Sequence, residues 1–378
     1  MKKFLALLLA LLMVLATFAA CGGGGGQEAP AEEGEEAAAA DGLQVGIVLP
    51  TKDEPRWLQD EASFTAALEG AGFTSEVMFS QGSTATELSN VESLIEKGVK
   101  VLVICAQDAG AAGAAVQKAK EAGATVVCYD RLITGTDAVD YYVTFNSFNV
   151  GVEQGNYLIK KYEGKTGVPL YLYAGAATDN NAFIFFSGAW SVLNKAVESG
   201  QFKVVNCDAI ADYVGKELDA TADRDALSTI IGTITTDWNF EVAKKLAEAN
   251  LTSLGADAKG DVAILAPNDG TARSIADTFA ADGDVSSYVI TGQDAEVASL
   301  QYINDGGKQS MTVWKNTANL AKATCDMVSA ILAGSTPTTG AEYDNGNKKV
   351  PSFEEAVIVV DPENLQGLLD DGSLSLEG

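Results

Sequence analysis

The stretch "VKVLVICAQDAGAAGAAVQKAKEAGATVVCYDR", residues 99–131, decides the fold. It contains two continuous apolar runs, "VKVLVIC" and "TVVCYD", and between them the segment "AGAAGAAVQKAKEAG", which is typical of a helix. Strands that lack polar alternation and are separated by helices are typical of a parallel sheet that is covered on both faces. We therefore predict a strand–helix–strand unit of an α/β fold.

The same alternation continues on both sides of this stretch. "LQVGIVLP" and "SEVMFS" predict earlier strands, and the pattern begins again near residue 148 with "PLYLYAG", "FKVVNCDA", "DVAILAPND" and "SSYVITGQD". "SMTVWK" and "EEAVIVV" predict later strands, with helices over 181–199, 239–251 and about 317–333. We predict two doubly wound α/β lobes of similar size.

Polar side chains follow several of these predicted strands. In an open α/β sheet the ligand crevice lies at the carboxyl ends of the strands. The residues placed there are Asp130, Arg131, Asn268, Asp269, Gln293, Asp294 and Lys315. Asp and Asn also follow strands because they cap helices and start turns, so one such residue alone indicates little. Their recurrence, with the cations Arg56, Arg131 and Lys315 in an acid-rich chain, indicates a binding site.

The residue types predict the chemistry of the ligand. An ionised Asp only accepts hydrogen bonds, whereas Arg donates up to five, so the pair Asp130–Arg131 matches adjacent hydroxyl groups. Acids and bases in near balance favour a neutral polyhydroxylated ligand over a sugar acid. The C–H face of a sugar stacks on aromatic rings, and we place Trp57 first because it adjoins Arg56. The other candidates, each also a normal core residue, are Phe145, Phe183, Phe185, Phe186, Tyr213 and Trp314.

Composition excludes several functions. The formal charge of −27 argues against nucleic acid as a partner. The absence of His excludes His-based triads and H-E-x-x-H sites, and neither G-x-G-x-x-G after the first strand nor an EF-hand loop is present. We therefore predict no catalytic residue, no cofactor and no metal. A glycosidase stays open, because it needs only two carboxylates and Asp130, Asp179, Asp269 and Asp294 are available.

The N-terminal residues predict export. Two lysines, an apolar run over 4–18 and small residues before Cys21 are typical of a secretory signal peptide, residues 1–21, with a membrane-spanning anchor as the alternative. Residues 22–42, rich in Gly and acids, predict a disordered tether. The remaining cysteines are predicted to be buried thiols, and Cys105–Cys128 is the one candidate bridge.

From about residue 44 to residue 360 the chain resembles the bacterial solute-binding proteins of ABC sugar transporters, in particular the xylose-binding and multiple-monosaccharide-binding members. The segments that carry the resemblance, in an order and spacing that are highly specific, are "LPTKDEPRW", "GVKVLVICAQD", "YDRLI", "TFNSFNVG", "DNNAF", "ITGQDAE", "MTVWKNT" and "NKKVPS". "FAAC" also resembles a lipobox, which implies cleavage before Cys21 and a lipid anchor on its thiol.

The resemblance implies a set of sugar-binding residues. These are Arg56, Trp57, Asp130, Arg131, Asn180, Asn181, Asn268, Asp294 and Lys315, and either of the two adjacent asparagines could be the main contact. Related proteins often supply a second stacking Trp from the region that corresponds to about 208–220. This chain has none there, so Tyr213 is the candidate substitute.

The family also implies the periplasmic binding protein type I fold, with a three-stranded hinge crossed near 146–149, 314–317 and 343–349. Lobe 1 is then 43–147 plus 317–343, and lobe 2 is 148–316 plus 344–378. A bound monosaccharide would hold the lobes closed, and a membrane permease driven by a cytoplasmic ATPase would receive it from the monomeric protein. A sugar-sensing receptor component, or a binder of a furanone or inositol, is the alternative on the same fold.

Overall fold

The computed structural model describes residues 42–377. The predicted signal peptide, Cys21 and the tether up to residue 41 lie outside the described residues. Within 42–377, no helix combines the length and apolar character needed to cross a membrane. Cys105, Cys128, Cys207 and Cys325 are all buried there as free thiols.

The described residues form strands and helices that alternate along most of the chain. The strands are β1 (Val45–Leu49), β2 (Ser75–Phe79), β3 (Val101–Ile104), β4 (Thr125–Tyr129), β5 (Tyr141–Phe145), β6 (Val168–Leu172), β7 (Phe202–Val204), β8 (Gly260–Leu265), β9 (Val285–Ile290), β10 (Thr312–Trp314), β11 (Ala341–Asp344), β12 (Lys349–Glu355) and β13 (Ile358–Val360). The helices are α1 (Pro55–Gly70), α2 (Thr84–Glu96), α3 (Gly113–Glu121), α4 (Ser147–Lys161), α5 (Asn180–Glu198), α6 (Arg224–Ile234), α7 (Phe240–Ser253), α8 (Asp269–Ala281), α9 (Val297–Asn304), α10 (Thr317–Leu332) and α11 (Leu365–Asp370).

The first lobe is built on a seven-stranded sheet in the order β11-β12-β5-β4-β3-β1-β2. All neighbours in it are parallel except β11 and β12, which form an antiparallel hairpin. Strands β1 and β3 are buried along their whole length, since each face of the sheet is covered by its own apolar core. The apolar runs of residues 99–131 are therefore continuous for the predicted reason: the sheet that contains them is covered on both faces.

The second lobe contains a parallel sheet in the order β7-β6-β8-β9. A bridge between Gln293 and Val313 continues it to β10, which pairs antiparallel with β13. Helices α4 and α5 pack together on one face, and α7 and α8 on the other. The predicted fold class, two doubly wound lobes joined by three crossings, is confirmed.

One predicted boundary is wrong. The chain leaves the first lobe between β5 and α4 and returns between β10 and α10, inside the ranges predicted for those crossings. The third crossing was predicted at 343–349, but β12 still pairs with β5 of the first sheet, so the crossing lies at 356–357. Residues 344–355 therefore belong to lobe 1. The resemblance alone placed the crossing here, whereas these residues belong to a hairpin that turns at Asn345 and Gly346.

Candidate functional site

Side chains from both lobes and from the crossings line one small cavity of about 20 Å³. Its lining residues are Glu54, Arg56, Trp57, Asp130, Arg131, Asp179, Asn181, Phe185, Trp238, Asn268, Gln293, Asp294 and Lys315. Most of them follow the carboxyl ends of β4, β8, β9 and β10 or lie at the beginning of α1 and α5. The structure thus brings together eight of the nine predicted sugar-binding residues, and the role of each in binding stays a prediction.

Arg56 lies at the centre of the charged groups. Its side chain is almost fully buried, and each guanidinium nitrogen donates to a different carboxylate: Nε to Asp60 at 2.7 Å, one terminal nitrogen to Asp130 at 2.9 Å and the other to Asp294 at 3.2 Å. Burial alone would lower the pKa of Arg56, but these carboxylates outweigh it and raise that pKa. Arg56 thus stays a cation and connects the first lobe to Asp294 of the second.

Asp130 remains ionised inside the protein. Burial alone would raise the pKa of its carboxyl, but the surrounding cations, first Lys315 and then Arg56, hold that pKa below its ordinary value. The Lys315 Nζ lies 3.9 Å from Asp130 Oδ2 and 2.8 Å from Asp294 Oδ1. Asp130 therefore acts only as a hydrogen-bond acceptor at neutral pH.

Arg131 and Trp57 form a second group beside the first. The Arg131 Nε lies 3.0 Å from Asp179 Oδ2 in a buried ion pair that joins the two lobes. Asp179 is the N-cap of α5, and burial raises the pKa of its carboxyl. The Trp57 ring has the guanidinium carbons of Arg56 and Arg131 each 5.1 Å from its centroid. Such cation–π contacts fix the ring in place at the cavity wall.

The structure distinguishes the two adjacent asparagines. Asn181 lines the cavity and donates from Nδ2 to the backbone oxygen of Asp130 at 2.8 Å. Asn180 does not line it, because its Oδ1 instead accepts a hydrogen bond from the Arg224 guanidinium at 2.8 Å. The inclusion of Asn180 among the sugar-binding residues is therefore not supported by this geometry. At the first turn of a helix, successive side chains point in directions about 100° apart, so only one of the two can face the cavity.

Trp238 was not predicted. It lies between α6 and α7, its Nε1 donates to Asp179 Oδ2 at 3.2 Å, and its ring meets Phe185 edge-on at 6.3 Å. Trp238 thus supplies a second tryptophan to the cavity wall, whereas Tyr213, the candidate substitute, does not line the cavity. The segment "TTDWN" has no apolar run to mark a strand end, although Thr235 bridges to Ala174 just beyond β6.

Glu54 was also missed. It is partly buried, precedes the Pro-Arg-Trp start of α1 and lines the cavity. Burial raises the pKa of its carboxyl to about 7. Its position close to "RW" was the one feature of the sequence that could have indicated a place in the site. A lone acid in a loop, however, is normally a solvated side chain.

The other lining residues had a weaker sequence signal, and several aromatic candidates proved to be core. Asp179, Phe185 and Gln293 were noted in the sequence but were not included among the predicted binding residues, although all three line the cavity. Of the remaining stacking candidates, Phe186 packs flat on Trp190 in the core.

The lining residues suit a neutral ligand that is rich in hydroxyl groups. Four carboxyl groups and three cations face one space, so neither sign dominates. Gln293 adds an amide, and its Oε1 has no hydrogen-bond partner among the described residues. Aromatic surface comes from Trp57, Trp238 and Phe185. The arrangement supplies donors, acceptors and flat apolar faces at short range.

Comparison with known proteins gives relatives of the kind that the sequence resemblance indicated. A family model described as periplasmic binding protein domain matches residues 45–336. The chain is 36% identical to the multiple sugar-binding periplasmic receptor ChvE of Rhizobium radiobacter, over 88% of this chain and 91% of that protein. It is 30% identical to the D-xylose-binding periplasmic protein of Escherichia coli K12, over 86% of this chain and 89% of that protein.

A solved structure gives the same result. A carbohydrate transporter solute binding protein from Chloroflexus aurantiacus, crystallised in complex with D-glucose, is 53% identical. It superposes with a TM-score of 0.84 over 88% of this chain and 97% of that one. The resemblance drawn from the sequence is confirmed, and the chain belongs to the periplasmic binding protein domain family.

Proposed function

We propose that this protein captures one monosaccharide of the glucose, galactose, xylose or arabinose class between its two lobes and delivers it to an ABC importer. The observation that carries the proposal is the small cavity between the lobes, around which carboxylates and cations of both lobes alternate. Because side chains of both lobes converge on this small space, a single sugar ring suits it better than an oligosaccharide.

The lining matches a sugar group by group. A hydroxyl both donates and accepts, so it can lie between an acceptor such as Asp130 or Asp294 and a donor such as Arg131 or Asn181. Hydrogen bonds to charged groups contribute about 1.5–3 kcal/mol each, and several of them outweigh the desolvation of a polyol. The rings of Trp57 and Trp238 suit the C–H faces of the sugar.

The proposed setting is outside the cytoplasm. The predicted signal peptide would direct export, and after its cleavage the lipid on Cys21 alone would hold the protein at a membrane. The relatives carry the word periplasmic in their names. The closed, sugar-bound monomer would be recognised by a membrane permease whose ATPase partner lies inside the cell. Neither nucleic acid nor a cofactor has a part in this role.

We infer binding without catalysis, because the family is one of binding proteins. Incubation with aryl glycosides and oligosaccharides is then expected to release no product. Release of product would instead indicate a glycosidase, the alternative for which the sequence offers the carboxylates Asp130, Asp179, Asp269 and Asp294.

Calorimetry and thermal melts with D-glucose, D-galactose, D-xylose and L-arabinose test the proposal. A ligand at 100 times its dissociation constant adds about 2.7 kcal/mol to the free energy of unfolding, which raises the melting temperature by several degrees. A furanone and myo-inositol serve as the competing arm. If no monosaccharide shifts the melt, or if one of the competing compounds alone does, the proposal is wrong.

A further inference from the structure

A fully buried carboxyl group lies directly behind the cavity without lining it. Asp269 is the first residue of α8, and none of its side chain is exposed. Its Oδ1 accepts a hydrogen bond from Gln309 Nε2 at 2.7 Å, and its Oδ2 accepts the backbone N–H of Glu296 at 2.9 Å. Its own backbone N–H donates to Gln293 O at 3.0 Å. Asp269 therefore holds both ends of the segment 293–296.

That segment contains the cavity residue Asp294 in a strained backbone. Asp294 has φ of 101° and Ala295 has φ of 51°, both in the left-handed region that favours glycine. Such residues cost about 1–3 kcal/mol each and persist only where their surroundings fix them. The backbone N–H of Asp294 donates to Val313 O at 2.9 Å, and that of Ala295 donates to Thr312 Oγ1 at 3.1 Å. Together with the hydrogen bonds from Asp269, these bonds hold the turn in one backbone conformation.

Gly292 provides an independent sign that the chain accommodates this carboxylate. A Cβ atom at residue 292 would lie 2.3 Å from Asp269 Oδ1 and 2.4 Å from Gln309 Nε2. Any side chain there would push the carboxylate or its partner away. Glycine is thus required just before the turn because Asp269 approaches the backbone closely.

The charges around Asp269 shape the choice of variants. Its two partners are neutral N–H groups, and no cation forms an ion pair with it among residues 42–377. The neighbouring charged groups are Glu296, Asp294 and Arg273, and Arg273 itself pairs with Glu296 at 2.5 Å. Asparagine at 269 would keep one acceptor for Glu296 N–H. Its amide nitrogen would face the Gln309 Nε2 donor, so the hydrogen bond to Gln309 would be lost.

We propose that Asp269 is a positioning residue: it fixes the 293–296 turn so that the Asp294 carboxylate faces Arg56 and Lys315 and is held in place for a sugar hydroxyl. This inference rests on the proposed function. It predicts that Asp269 acts on binding through Asp294, without touching the ligand.

Calorimetry on purified full-length protein tests it, with D-glucose or the tightest ligand among D-galactose, D-xylose and L-arabinose. Asp269→Ala is expected to weaken binding about tenfold or more, and Asp269→Asn less, because Asn keeps the bond to the turn. Ile275→Ala is the matched control, since it truncates a fully buried side chain of the same helix. It is expected to lower the melting temperature while it leaves the affinity within about twofold.

A double-mutant cycle separates positioning from a general loss of order. In an Asp294→Asn background, Asp269→Ala is expected to cost less than about threefold in affinity, because the group it positions is already altered. An undiminished penalty in that background, or equal losses in Asp269→Ala and Ile275→Ala, overturns the inference while the proposed function stands. If Asp269→Ala does not fold, Asp269→Asn and Gly292→Ala supply the same comparison. A wild-type protein that binds none of the sugars removes both proposals.

Discussion

Asp130 has φ of 59°, a backbone conformation that few residues other than Gly, Asn and Asp adopt. Its neighbours hold it there: its N–H donates to Val143 O, and its backbone oxygen accepts from Tyr142, Thr144 and Asn181. Asn181 belongs to the other lobe, so the backbone carbonyl of Asp130 also forms a hydrogen bond between the two lobes. The apolar run of β4 ends in an acid because the last residue must turn out of the sheet and still accept hydrogen bonds.

Asp130→Asn is expected to weaken monosaccharide binding about 10- to 100-fold, since hydrogen bonds to a charged group contribute about 1.5–3 kcal/mol. The melting temperature without sugar is expected to change little, because Asn tolerates the left-handed backbone. Asp326→Asn, which alters an exposed carboxylate of α10 paired with Lys322, is the control and should leave affinity unchanged. Equal loss of stability and binding in Asp130→Asn would mean that Asp130 is structural.

Glu54 predicts a pH dependence of stability. The pKa of its carboxyl rises from 4.5 to about 7, chiefly through burial, so the folded chain holds the proton more tightly than the unfolded chain. Its contribution is complete below pH 4.5 and is lost as the pH rises through about 7.

Urea unfolding of wild type and Glu54→Gln between pH 4 and pH 8 measures this contribution. Wild type should lose stability relative to the variant over the window 4.5–7, with a slope of at most about 1.4 kcal/mol per pH unit. Parallel curves across the window would show that Glu54 keeps an ordinary pKa.

At the residue scale, sequence reasoning located cavity-lining residues where a polar residue followed an apolar strand, as at Asp130, Asn268 and Asp294. It could not choose between Asn180 and Asn181, because the choice depends on the rotation of α5. It also missed Trp238, since a loop between two helices carries no periodic signal. Such positions are set by tertiary packing and leave no local pattern.

At the scale of elements, α4 and α5 place the second-lobe side of the site. Gly151 of α4 lies so close to α5 that a Cβ there would be 1.9 Å from Phe185 O. The two helix backbones are therefore in contact, and this contact fixes the end of α5 that carries Asn181 and Phe185.

Gly151→Ala is expected to destabilise the protein by about 1–3 kcal/mol or more, because the added methyl forces the helices apart. Gly232→Ala on α6 is the matched control: nothing lies within 4 Å of a Cβ there, and the residue is exposed in a helix. Ala should stabilise that helix by about 0.8–1 kcal/mol. Urea unfolding gives both values, and a Gly151→Ala variant as stable as Gly232→Ala would contradict the close packing.

The elements themselves were predictable in proportion to their burial. The fully buried strands β1, β3 and β6 appear in the sequence as unbroken apolar runs. Strand β12 was missed because its seven residues, "KVPSFEE", include one proline and three charged side chains. It is a strand because β5 and β11 lie on either side and satisfy its backbone groups, a long-range effect that its own residues do not encode.

For the whole molecule, charge separates neutral sugars from sugar acids. The chain carries a formal charge of −27, and the cavity faces four carboxyl groups with three cations. A uronic acid would add a further negative charge without a spare cation. D-glucuronate is therefore expected to bind at least about tenfold more weakly than D-glucose at pH 7, as calorimetry will show. Equal affinities would mean that a cation of the cavity is free for a carboxylate.

Closure of the two lobes is the motion that the proposed function requires of the whole molecule. The backbone N–H of Ala109 in the first lobe donates to Thr178 O of the second at 3.0 Å, next to the Arg131–Asp179 pair. These contacts form only when the lobes meet, and a sugar that bridges Asp130 and Asp294 favours the same approach. Ligand binding should therefore shift the population towards the closed arrangement.

Spin labels on Ala111→Cys and Ala177→Cys, at exposed positions near that contact, report the motion in a chain that starts at residue 22. The four native cysteines of the described residues are buried, so the engineered thiols should react first. Sugar is expected to shorten and narrow the distance distribution between the labels. A pair on Ala111 and Lys100, both exposed in the first lobe, should not change. An unchanged distance between lobes, with binding demonstrated by calorimetry, would show that the two lobes move as one rigid body.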